Sequence, residues 1–158
     1  MYTATVITVS DRAYRREYID QSGPAVCKML EAAGYEIARI HIIPDEKNKI
    51  TETLQAECDN GVSLIVTTGG TGFAPRDVTP EATLAVIERE APGIAEYMRM
   101  KSASLTPRAI LSRGVAGICK RSLIINLPGS PKGATENLGV ILPHLAHGLD
   151  MLNGVKDS

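Results

Sequence analysis

The chain has 158 residues, the usual size of one compact domain, and 44% of them are apolar, enough to take roughly 70% of the unfolded chain's surface out of water at this length. With 17 Lys and Arg against 18 Asp and Glu the net charge is −1, which excludes the clustered basic excess of sequence-independent nucleic-acid binding. The longest aliphatic runs, such as Leu64–Val66 and Leu123–Ile125, fall far short of the roughly 20 residues that span a bilayer. Neither nucleic acid nor a membrane is expected as a partner.

Thr5–Ser10 alternates β-branched and small residues as a strand, and Ala25–Ala33 places Val26, Met29, Leu30 and Ala33 at helical spacing up to Gly34, which closes the helix. Glu36–Ile43 reads as a strand with Ala38, Ile40 and Ile42 on one face. Lys49–Asp59 repeats Ile50, Leu54 and Cys58 every four residues, a helix ended by Asn60-Gly61. Val62–Thr68 is a third strand, apolar through Leu64, Ile65 and Val66 as burial of both faces requires. This βαβαβ order predicts a parallel sheet with right-handed crossovers, an α/β fold.

Thr79-Pro80-Glu81 combines a cap residue, a first-turn proline and an acid, and predicts a helix running to about Glu90. Pro92-Gly93 breaks it, Ile94–Ser104 is helical again, and Ser122–Leu127 is another buried strand. From about Ala134 a last helix buries Leu138, Ile141, Leu142, Leu145, Leu149 and Leu152, with a kink expected at Pro143. A single domain over 1–152 with a frayed tail at 153–158 is expected.

Met1–Ser10 carries no Lys or Arg, so the basic leader of a secretory signal is missing and the cytoplasm is the expected compartment. Cys27, Cys58 and Cys119 form no CxxC pair and read as buried thiols. His144 and His147 lie three apart near the end of the last helix. They read as a packed or surface pair, with metal ligation the alternative.

Ligands of open α/β sheets bind beyond the carboxyl ends of the strands. That singles out Ser10-Asp11, Pro44-Asp45-Glu46, Gly69-Gly70-Thr71-Gly72 running on to Asp77, and Pro128-Gly129-Ser130-Pro131. The glycine run allows backbone N–H groups to converge on an anion. It is neither a P-loop nor GxGxxG, and a tight turn is the plain alternative. The loop Phe73–Thr79 favours a phosphate and metal site, because it sets Arg76 and Asp77 beside the glycines just before a helix N-terminus.

TVSD at Thr8–Asp11, DQSGP at Asp20–Pro24, PDE at Pro44–Glu46, TTGGTGFAPRDVTPEAT at Thr67–Thr83, EREAPG at Glu88–Gly93, LSR at Leu111–Arg113 and LPGSPKG at Leu127–Gly133 together resemble the MogA family of molybdopterin adenylyltransferases. The N-terminal G domain of gephyrin is similar. The likeness covers essentially the whole chain. It implies a three-layer αβα fold with a mostly parallel central sheet, a homotrimer, and adenylylation of molybdopterin by MgATP with release of pyrophosphate during molybdenum cofactor biosynthesis. Transient contact with molybdopterin synthase and with the molybdate-insertion enzyme is implied as well. By the same likeness Asp45 and Asp77 are the catalytic acids, and both are expected to hold Mg²⁺. Gly69, Gly70, Thr71 and Gly72, with Pro128, Gly129 and Ser130, bind the nucleotide, and Ser10, Asp11 and Ser102 bind substrate.

The attacking group would be the terminal phosphate of molybdopterin, largely ionised at neutral pH because a phosphate monoester has its second pKa near ~6. No strong base is needed. The site must bring two polyanions together, and a cation held by one or two carboxylates suits that task. Plainer roles remain open: Asp77 beside a helix N-terminus, Asp45 as a turn acid, and Asp11 and Asp20 as Asx turns. Arg76, Arg108, Arg113 and Lys132 are either phosphate ligands or solvated surface. A non-catalytic pterin-binding module is the competing function. Related MoaB-like proteins include members without the acid of the PRD motif, so Asp77 argues for the enzyme. A gephyrin-like scaffold needs a second large domain, and a hydrolase of the competence-protein type needs an added catalytic one.

Overall fold

A computed structural model describes residues 1–156 of the chain. Residues 157 and 158, the end of the tail expected to fray, lie outside the described residues. The strands are β1 (Thr3–Val9), β2 (Glu36–Ile43), β3 (Leu64–Thr68), β4 (Arg89–Glu90), β5 (Ala116–Cys119) and β6 (Ser122–Leu127). They form one sheet in the order β2-β1-β3-β6-β5-β4. The first four neighbours run parallel, and β5 pairs antiparallel with both β6 and β4.

Alternation along β1 and β3 sends Ala4, Val6, Leu64 and Val66 into one layer and Ile7, Val9 and Ile65 into the other. The first layer is closed by α2 (Ser22–Ala32), α5 (Pro92–Ala103) and α6 (Pro131–Leu152), the second by α3 (Lys47–Asp59) and α4 (Thr79–Val86). This is the three-layer αβα arrangement with a mostly parallel sheet. α6 buries Leu138, Ile141, Leu145 and Leu149, a stripe at helical spacing. Each such side chain contributes about 1.5–3 kcal/mol when fully removed from water. The helix continues through Pro143.

Three expectations need correction. The helix from Thr79 stops at Val86, because Ile87 turns extended and Glu88 N–H donates to Ile118 O, feeding the chain into β4. Pairing with β5 overrides the helical propensity of this stretch. β5 itself has no usable alternation, since Ala116-Gly117 is small and leads a four-residue strand. Pro92 and Pro131 start helices instead of preceding them, and Ser130 caps α6 by accepting from Gly133 N–H. The short helix α1 (Asp11–Tyr14) and the 3₁₀ turn Pro107–Leu111 carry too little periodicity to be read in advance.

Within β2 the pairing slips by one residue: Ala4 faces Ile37 and Thr5 faces Arg39, leaving Ala38 as a bulge. Beyond it Arg39 and His41 turn toward α3, where Glu57 is 2% exposed. The Glu57 carboxylate accepts from Thr5 Oγ1 at 2.6 Å and Arg39 Nε at 2.6 Å, and lies 3.2 Å from His41 Nε2. Burial pushes its pKa up, but Arg39, Thr5 and His41 together hold it below the usual carboxylate value.

Candidate active site

From β1 the chain crosses to β2 on one side and later to β3 on the other, so the strand order reverses between β1 and β3. Their following loops part there and leave a crevice. It is a cleft of about 240 Å³ lined by Ser10, Tyr18, Asp20, Asp45, Gly69, Gly70, Asp77 and Gly129, among others.

Gly69 and Gly70 leave β3 with φ of 93° and 69°, a left-handed pair that only glycine adopts freely. A side chain at Gly70 would collide with Thr79 Oγ1 and place its Cβ 3.2 Å from Asp45 Oδ1. Gly69 N–H donates to Leu127 O at 3.1 Å, but no backbone hydrogen bond among the described residues uses the N–H of Gly70, Thr71 or Gly72. These donors, next to the N-terminus of α4, make an anion cradle.

Asp45 and Asp77 reach this cradle from different loops. Asp45 Oδ2 accepts from Asp11 N–H at 2.9 Å, while Asp45 N–H donates to Asp11 Oδ1 at 3.0 Å. The Asp11 carboxylate is gripped by Arg76 at 2.7 and 3.0 Å, which holds its pKa below the usual range. Asp11 thus locks the loops after β1 and β2 together. Burial pushes the Asp45 carboxyl up; the Asp11 N–H opposes this, and the charges of Asp11 and Asp77 add to it. Asp77 Oδ2 accepts from Ala74 N–H at 2.9 Å, and α4 is capped at Val78, so Asp77 is not the helix cap. Ser10 caps α1 through Ala13 N–H. Asp20 accepts from Thr8 Oγ1 and from the N–H groups of Ser22 and Gly23, the turn alternative for this residue.

Thr71, Gly72, Pro128 and Ser130 face a second, larger cleft of about 580 Å³, with Ser102, Thr106, Arg108, Ser112 and Lys132 also in its wall. The expected nucleotide residues therefore divide between two adjoining clefts, with the glycine run as the ridge between them. Ser102 is buried in α5, and its hydroxyl has no hydrogen-bond partner among the described residues. Such a group calls for a partner from a ligand or water. The four candidate cations separate clearly. Arg108 and Lys132 line the larger cleft, Arg76 pairs with Asp11, and Arg113 bonds to loop carbonyls and Glu81. Thr106 and Ser112 were not foreseen, because the 3₁₀ segment that brings them in has no pattern of its own.

A divalent cation fits this donor set. Among the described residues no group of three or more His, Cys, Asp or Glu side chains could hold a metal alone. Two converging carboxylates beside a buried, unpartnered Thr79 hydroxyl suit an ion that takes its remaining oxygens from phosphates and water.

Fold and site together define a doubly wound α/β protein with a cleft at its switch point, bordered by two carboxylates and a left-handed glycine turn. The family model described as a probable molybdopterin binding domain matches residues 5–147, and the chain belongs to that family. It is 44% identical over 152 residues to the molybdopterin adenylyltransferase of Helicobacter pylori strain J99, covering 94% of this chain and 86% of that protein. It is 40% identical to gephyrin of Dictyostelium discoideum, covering 97% of this chain but only 23% of the gephyrin. The crystal structure of the molybdopterin biosynthesis enzyme MoaB from Thermus thermophilus superposes with a TM-score of 0.93 at 47% identity, over 98% of each chain. No helix among the described residues is long and apolar enough to cross a membrane.

Proposed function

We propose that this protein is a molybdopterin adenylyltransferase of molybdenum cofactor biosynthesis, a nucleotidyltransferase that moves AMP from ATP to the terminal phosphate of molybdopterin. The observation that carries this reading is the convergence of Asp45 and Asp77 on the left-handed Gly69-Gly70 turn, beside a second cleft large enough for a ring system. A phosphate oxygen of molybdopterin bonds to the α-phosphorus as the bond to the β-phosphate oxygen breaks, and pyrophosphate leaves.

The N–H groups of Gly70, Thr71 and Gly72 orient the triphosphate, and the N-terminus of α4 favours its charge. Arg108 and Lys132 offset the charge of the phosphate entering from the larger cleft, where Ser102 meets the pterin. Mg²⁺ bound at Asp45 and Asp77 would supply charge neutralisation for the reacting phosphates. Asp11 and Arg76 keep the Asp45 carboxylate aimed at the cradle. We further propose a cytoplasmic homotrimer that meets molybdopterin synthase and the molybdate-insertion enzyme only in passing.

Incubation with molybdopterin, ATP and Mg²⁺, followed by chromatography of the pterin and a pyrophosphate assay, tests the reading. Adenylylated pterin and pyrophosphate in equal amounts are expected. Pterin binding without either product would assign the protein to the binding modules.

A further inference from the structure

We infer that Arg113 is a positioning residue for adenylyl transfer, clamping the loop 71–77 at both of its ends and so fixing where Asp77 stands against the glycine cradle. This rests on the adenylyltransferase reading. Arg113 serves the loop and not a phosphate, because four of its five guanidinium N–H donors are committed to loop carbonyls and Glu81. Its backbone N–H donates to Thr71 O at 2.8 Å and its Nε to Gly72 O at 2.9 Å, which holds the start of the loop. Nη2 donates to Asp77 O at 2.7 Å, which holds the end. Nη1 and Nη2 also reach the Glu81 carboxylate at 2.7 and 3.2 Å, tying the guanidinium to the first turn of α4.

Between those ends the loop has little else to hold it. Phe73 is 72% exposed, and the internal bonds are the local pair between Ala74 and Asp77. The outer tether, Arg76 to Asp11, uses an arginine whose side chain is 59% exposed, and exposed pairs hold geometry weakly. Among the described residues only the Arg113 side chain joins Gly72 to Asp77, and it does so with a rigid planar fork that a lysine cannot reproduce; the bond to Thr71 O comes from its main chain and does not depend on the side chain. Leu111 and Ser112, just before it, line the larger cleft. The segment that walls one cleft therefore sets the acid of the other. A loop free to drift by an ångström would leave Asp77 able to bind a cation yet badly placed for reaction.

The test compares Arg113→Ala, Arg113→Lys, Asp77→Asn and the Arg113→Ala/Asp77→Asn double variant in full-length protein. Arg113→Ala is expected to lower kcat at least roughly 30-fold with the KM for molybdopterin changed less than about threefold. Arg113→Lys should recover little of that loss. In the Asp77→Asn background the same change should cost less than about threefold, since the two residues act as one unit. Hydrogen exchange on the free protein gives an independent readout. Amides at 72–77 should exchange at least about 10-fold faster in both Arg113 variants, with α6 unchanged. If Arg113→Ala does not fold, Glu81→Gln, which loosens one arm of the fork, should lower kcat about fivefold at a wild-type melting temperature. Near-wild-type turnover of the folded variants, or a loss fully additive with Asp77→Asn, overturns the positioning role. A wild-type protein that makes no adenylylated pterin overturns the enzyme reading and this role with it. An active wild type with impaired Asp77→Asn and unimpaired Arg113→Ala removes only the latter.

Discussion

At the scale of single residues, Asp45 and Asp77 are both acids of one cleft, yet their surroundings differ, and so do the expected results of neutralising them. Asp77→Asn keeps an acceptor for Ala74 N–H while removing charge from the cradle. Turnover should fall at least roughly 100-fold, about 2.7 kcal/mol, with pterin affinity nearly unchanged. A role limited to the helix dipole would instead cost ~1 kcal/mol or less of stability at near-normal turnover. Steady-state kinetics and a melting curve on the one variant separate these.

Asp45 carries the pH signature. Its folded pKa is raised, chiefly by burial and then, against the Asp11 N–H, by the charges of Asp11 and Asp77. The folded state thus binds its proton more tightly than the unfolded chain. Stability from this group is present below the ordinary carboxylate pKa of ~3.9 and is lost as pH rises through the elevated folded value. Asp45→Asn should therefore gain in melting temperature on the wild type as pH climbs from about 3.5 to 7, while turnover drops. Asp11 has the opposite sign. Its pKa is lowered by Arg76, so its contribution is present at neutral pH and is lost on acidification. Melting curves across that range decide the matter, and a variant less stable than wild type at every pH would contradict the assigned cost of ionised Asp45.

At the scale of elements, Glu57 binds α3 to the β1–β2 edge. Glu57→Ala removes an acceptor shared by Thr5, Arg39 and His41. The Arg39 side chain is 42% exposed and can return to water, but Thr5 is buried. We expect a loss of about 1–3 kcal/mol, largely the cost of the stranded hydroxyl and lost bonds. The lowered pKa of Glu57 makes its contribution fade as pH falls through the folded value, so the variant and wild type should converge in acid. Chemical denaturation at neutral and acidic pH measures both.

The elements with strong periodicity were legible in the sequence. β2 and β6 have the bounds read from it, and Gly34 and Gly61 end their helices with φ of 95° and 76°. β4 and β5 were not, because a two-residue and a four-residue strand are specified by pairing and not by pattern. The site was legible as loops after strands, since Ser10, Asp45, Gly69, Gly70 and Gly129 all border the smaller cleft. What could not be read was the division of labour among the cations. Arg108 and Arg113 lie five residues apart in one segment of similar composition, and only the fold turns one toward a cleft and the other behind a loop.

For the whole molecule, the expected trimer can be weighed against the surface. Of the apolar residues of α5, Met98 is buried in the chain's own core, and Ile94 is half-buried against it. Tyr97 stays partly exposed and packs edge-on against His144, with ring centroids 6.1 Å apart. Met100, Leu105 and Ile110 are each more than two-thirds exposed, more apolar surface in one stretch than a lone small domain usually shows. Light scattering at micromolar concentration should give about three times the chain mass of 16.9 kDa; a mass equal to one chain refutes the assembly.

The unpaired Ala38 has a consequence for how the free margin of the sheet behaves. β2 ends the sheet on one side, and an uninterrupted margin with Ile40 and Ile42 exposed would be a template for another strand. The extra residue breaks the hydrogen-bonding rhythm of that margin, so an incoming strand cannot run along it in one register. It also sets the parity of everything after it. Were the same sequence paired without the bulge, with Ala38 opposite Thr5, Arg39 and His41 would turn away from α3 and Ile40 and Ile42 would be driven against Glu57, leaving a buried carboxylate among aliphatic side chains. One residue that pairs with nothing thus guards the chain against self-association and keeps a charge and its partners on the same side.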